Sequence, residues 1–63
     1  MKNRVKEYRE KLGMTQEELA EKSGISRATI SGFENGAIKI TTNTTRDKIS
    51  EALGKKTKTV FFL

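Results

Sequence analysis

The chain has 63 residues with 13 Lys/Arg against 8 Asp/Glu, a net charge of +5, and it contains neither cysteine nor histidine. Those counts exclude disulfide frameworks, zinc-finger spacings, cysteine nucleophiles and histidine bases. They leave room for a single domain over 1–63, with no cofactor, no metal ion and no catalytic residue expected.

A chain this short buries only about 60% of the surface it exposes when unfolded, so association with a second copy is the expected support. No apolar run approaches the roughly 18 to 20 residues of a membrane span. Met1-Lys2-Asn3-Arg4 has no apolar stretch behind it to make a signal peptide. A cytoplasmic protein without membrane contact is the expectation. The charge is also unevenly placed. Residues 1–12 carry five Lys/Arg against two Glu, residues 13–36 carry two against four, and residues 37–63 carry six against two acids. Basic flanks around a mildly acidic middle favour a polyanionic partner, although a plain solvated surface would look the same.

Val5, Tyr8 and Leu12 recur at helical spacing and predict a first helix over about 3–12 with those three residues inward. Gly13 stops it. Thr15 followed by Glu18 forms a capping-box pattern, and Met14 and Leu19 occupy the staple positions of a second helix running to about Ser23. Gly24 ends that helix and Ser26 caps a third, with Ile30 and Phe33 inward and Asn35-Gly36 at its close. Two capped helices of about eight residues joined only by Gly24-Ile25-Ser26 cannot run side by side. That link predicts the angled pairing of a helix-turn-helix.

Beyond Gly36 the pattern weakens. Ile38 and Ile40 alternate with Lys39 and Thr41, as either a short strand or an extended loop, and a fourth helix over about 44–53 buries Ile49, Ala52 and Leu53. In the tail, Thr57, Thr59, Val60, Phe61 and Phe62 favour strand by propensity.

The run from Met14 to Gly36 resembles the helix-turn-helix of the lambdoid phage repressor and Cro family, the Xre family. Gln16, Ala20, Gly24, Ile30 and Glu34-Asn35-Gly36 stand in register with the family pattern without a gap. The resemblance implies an all-α fold, a compact four- to five-helix repressor-like domain, with a short helical turn in the tail as the alternative to a strand. It departs from the family in having no proline between the third and fourth helices, in a slightly longer 38–43 stretch, and in Lys55 and Thr57 where aliphatic residues are usual.

The resemblance implies a homodimeric transcriptional regulator, expected to be a repressor, that binds a pseudo-palindromic double-stranded DNA operator. An antitoxin or anti-repressor on the same fold is the alternative. With Ile30 and Phe33 inward, the outer edge of the third helix presents Arg27, Ala28, Ser31 and Gly32, with Ser26 at its start. Arg27 has the planar donor fork that reads guanine O6 and N7, or that holds a phosphate; Ala28 suits a thymine methyl; Gly32 permits close approach. Gln16 is expected to grip a phosphate at the start of the second helix, with Thr29, Asn35, Lys39 and Thr41 as rim contacts. Lys39 and the threonines fit a plain solvated loop nearly as well. The resemblance also pairs Arg9 with Glu34 as a structural ion pair. Val60–Leu63 is expected to divide between closing the core and a subunit contact.

Overall fold

Three of the helices begin at side-chain caps that the sequence makes plain. Thr15 accepts a hydrogen bond from the Glu18 amide while the Glu18 carboxylate accepts one from the Thr15 amide, closing the capping box before α2, Gln16–Ser23. Ser26 accepts from the Thr29 amide and opens α3, Arg27–Glu34. Thr42 accepts from the Thr45 amide and opens α4, Asn43–Ala52. Such caps satisfy amides that no helical carbonyl can reach. Gly24, at φ 73°, takes the left-handed conformation that ends α2 and turns the chain at once toward α3.

The computed structural model describes residues 2–62. Around the helix-turn-helix lie β1, Lys2–Asn3, and α1, Val5–Lys11, on one side. On the other lie α5, Thr57–Val60, and β2, Phe61–Phe62. Helix α2 packs on α3 and α4, α1 on α3, and α5 on α4. The core consists of Val5, Leu19, Ile30, Phe33, Ile49, Ala52, Leu53, Val60 and Phe61, with Phe33 and Phe61 edge to face at 5.3 Å. Thr57 donates to Asp47 at 2.7 Å and so ties α5 to α4.

The tail is both of the forms left open: one helical turn, then a strand. Phe61 and Phe62 pair antiparallel with Asn3 and Lys2, closing the two ends of the described chain on each other. The strand Lys2–Asn3 was not expected, because a first helix was expected from about residue 3. Asn3 accepts from the Val5 amide and donates to the Phe33 carbonyl, which holds it extended against the end of α3. Residues 37–42 form the extended loop rather than a strand. Val60 and Phe61 close the core as expected of the tail, Phe62 is half-buried, and Leu63 lies outside the described residues.

Leu12 corrects the first-helix expectation. It is 53% exposed instead of inward, because α1 has already ended at Lys11 and the chain turns away through Gly13. Met14, just past the turn, packs against the core.

Candidate nucleic-acid interface

A charged clamp fixes the outer end of α3. Arg9 donates from Nε to Glu34 Oε2 at 2.6 Å, from Nη2 to Oε1 at 2.9 Å, and from Nη1 to the Met14 carbonyl at 2.6 Å. Gln16 Nε2 donates to the same Oε1 at 3.1 Å. The side chains of Arg9 and Glu34 are only 12% and 5% exposed, so the fork-to-carboxylate pairing is largely shielded from water. Burial alone would raise the Glu34 carboxyl, but hydrogen bonds from Arg9 and Gln16 and the charges of Arg9 and Lys6 hold it below its ordinary value. The hydrogen bond to Glu34 raises the Arg9 guanidinium against the opposing effect of burial. One carboxylate thus joins α1, the start of α2 and the end of α3.

That junction brings Gln16 to the end of α3, which Asn35 caps. Gln16 is the first residue of α2, where the opening amides have no helical acceptor and favour an anion. Asn35 follows Glu34 directly and is exposed, its Oδ1 accepting from the Ala37 amide at 2.9 Å. Along α3, Arg27 and Ala28 are exposed and Ser31 is half-buried. Ser26 is exposed and Thr29 half-buried, and their hydroxyls hydrogen-bond each other at 2.9 Å, so both are engaged in the cap. Lys39 is exposed on the loop beyond.

Gly32 is the exception to the expected outer edge. Its helical position faces away from Ile30 and Phe33, yet it is buried. A Cβ built there would stand 2.5 Å from Ile38 Cδ1, and the Ile38 amide donates to the Gly32 carbonyl at 3.0 Å. Ile38 therefore covers the position, and Gly32 permits close approach of the protein's own loop. The open edge of α3 reduces to Arg27, Ala28 and Ser31. The spacing of Gly32 from Ala28 gave no sign of this, since periodicity within a helix does not reveal what a following loop lays over it. The bond from Gln16 to Glu34 was also not anticipated.

Among the described residues, no group of three or more His, Cys, Asp or Glu could hold a metal ion. No helix there is long and apolar enough to cross a membrane.

Residues 5–60 match the family described as helix-turn-helix. The chain belongs to the Cro/C1-type helix-turn-helix family. This family, also called Xre, consists of DNA-binding transcriptional regulators, which are typically not enzymes. The helix-turn-helix protein is 38% identical over 63 residues, all of its own length and 94% of the relative's, to the uncharacterized HTH-type transcriptional regulator YgzD of Bacillus subtilis. It is 51% identical over 51 residues to antitoxin HipB of Escherichia coli, covering 81% of this chain and 57% of that one. An uncharacterized HTH-type transcriptional regulator of Archaeoglobus fulgidus is 56% identical over 36 residues, covering 57% of this chain and 51% of the relative. The helix-turn-helix protein thus spans about half the length of such archaeal relatives.

Proposed function

We propose that the protein is a repressor that binds a pseudo-palindromic operator as a homodimer, with the N-terminal half of α3 in the major groove. The observation that carries this reading is the edge of exposed Arg27 and Ala28 and half-buried Ser31 on a helix whose far end is locked by Glu34 to Arg9 and Gln16. A recognition helix needs both an open edge and a fixed pose. Arg27 takes guanine O6 and N7, Ala28 a thymine methyl, and Ser31 either base edge or backbone. Gln16, Asn35 and the opening amides of α2 hold phosphates, with Ser26, Thr29, Lys39 and Thr41 at the rim. Gly32 contributes only by seating the loop. In the dimer the two copies of α3 stand about 34 Å apart on successive turns of one DNA face, and half-buried Phe62 belongs to the subunit contact.

The test is selection of bound sites from random duplex DNA, repeated with Arg27→Ala. The expected outcome is a palindromic site for the native protein. The variant should lose the preference for one guanine in each half-site, a loss of about tenfold or more in discrimination there, with unchanged melting. An unaltered preference would refute the role of Arg27.

A second reading, a DNA-binding antitoxin, is favoured by the likeness to a protein named as an antitoxin. It predicts a tight complex with a toxin encoded beside it, which co-purification of the two products would reveal.

A further inference from the structure

Helices α1 and α4 end alike. Each closes on a leucine followed by a glycine at φ 69°, Leu12-Gly13 and Leu53-Gly54, and the two amides after each leucine turn back to carbonyls of the last turn. The two leucines differ in depth: Leu53 lies in the core, while Leu12 is 53% exposed. Together with Tyr8, Lys11 and Lys55 they line a hollow of about 150 Å³. A volume of that order holds one benzene-sized group.

The floor is apolar and the rim is cationic. Lys11 Nζ lies 5.6 Å and Lys55 Nζ 5.2 Å from the centre of the Tyr8 ring, so two ammonium groups attend one aromatic side chain. A lysine at a helix end is ordinary; two that converge on one hollow set the charge of whatever fills it. Glu7 pairs with Lys11 at 3.5 Å, but both side chains are exposed and water screens the contact. Lys56, next to Lys55, is exposed as well, and the rim remains positive.

Two occupants answer only half of this surface. A nucleic-acid backbone meets the lysines but has no side chain to fill an apolar hollow. A second copy of this chain could offer an apolar residue, yet it brings its own net charge of +5 to a positive rim. An acidic protein segment with one large apolar residue answers both floor and rim.

We propose that the hollow between the ends of α1 and α4 is a docking site for such a segment. One aliphatic or phenyl side chain of the partner sits on Tyr8, Leu12 and Leu53, and its neighbouring carboxylates meet Lys11 and Lys55. The hollow shares no residue with the proposed DNA surface, so the proposal does not depend on that reading.

The experiment pans short random peptides displayed on phage against the native chain, and measures the affinity of an enriched, synthesised peptide for the native protein, Leu12→Ser and Lys55→Glu. Enriched sequences should carry one large apolar residue flanked by Asp or Glu. The peptide should shift the amides of Tyr8, Leu12 and Lys55 in nuclear magnetic resonance spectra. Each variant should weaken its binding about tenfold or more, while melting as the native protein does, since both side chains stand largely in water. Replacing the peptide's acidic residues by lysine should abolish binding. The proposal is overturned if no acidic peptide is enriched, if the enriched peptide shifts amides elsewhere, or if Leu12→Ser binds it as well as the native protein does. It is equally overturned if Leu12→Ser instead converts a dimer to a monomer, which would make the hollow a subunit contact, or if Lys55→Glu weakens duplex retention and leaves peptide binding intact.

Discussion

Through Arg9 and Gln16, the Glu34 carboxylate ties α1 and α2 to the end of α3. The two-bond contact of Arg9 with Glu34 is shielded, and Arg9 also satisfies the Met14 carbonyl, so removing the guanidinium strands both a carboxylate and a carbonyl. Arg9→Met is expected to destabilise the fold by about 3 kcal/mol, or more than about 10 °C in melting temperature for a domain of this size, as thermal unfolding would report. The same pair sets a pH dependence. The Glu34 carboxyl is held below its ordinary value of 4.5, so its contribution is fully present above that value and is lost as pH falls through the lower folded value. Urea unfolding from pH 7 down to 3 should show the native protein losing stability below about pH 4.5 more steeply than Glu34→Gln does. Equal slopes would mean that the carboxylate is not stabilised in the fold.

At the level of elements, Gly32 is the instructive case. Alanine is the better helix former by about 1 kcal/mol, but a Cβ there meets Ile38. Gly32→Ala should therefore gain little or lose stability in the native background. In Ile38→Ala, which empties the space, it should stabilise by about 0.5–1 kcal/mol. A double-mutant cycle by chemical denaturation reads this reversal directly, and additive effects would show that the loop does not depend on the glycine.

The helices were legible because their start signals are local. Thr15 with Glu18, and Ser26 three residues before Thr29, specify their caps whatever surrounds them. The resemblance likewise indicated the bond from Arg9 to Glu34. What stayed hidden is what one element does to another. Lys2–Asn3 forms a strand only because Phe61–Phe62 lies beside it, and Leu12 misses the core only because Gly13 turns the chain first. Gly32 belongs to the same class: its helical face is outward, and a loop six residues later covers it. The open edge of α3 was therefore readable at Arg27 and Ala28, whereas Gly32 lies buried under Ile38.

Over the whole molecule, the strand pair joins the two ends of the described chain on the side where Asn3 meets the end of α3, and Phe61 packs on Phe33. Asn3 and Phe61 thus brace the helix that is proposed to enter the groove, and Arg4 lies 4.8 Å from the Phe62 ring centre. The proposed DNA surface runs from Gln16 and Asn35 along Arg27, Ala28 and Ser31 to the loop at Lys39. The region of Tyr8, Leu12 and Leu53 is a separate hollow of about 150 Å³. Titrating a selected duplex into isotopically labelled protein, and following every backbone amide by nuclear magnetic resonance, tests that arrangement most directly. Amides at Gln16, Arg27 to Ser31, Asn35 and Lys39 should shift together, while those of Tyr8, Leu12 and Leu53 stay in place. Shifts confined to the Tyr8–Leu53 side, or none at low ionic strength, would contradict it.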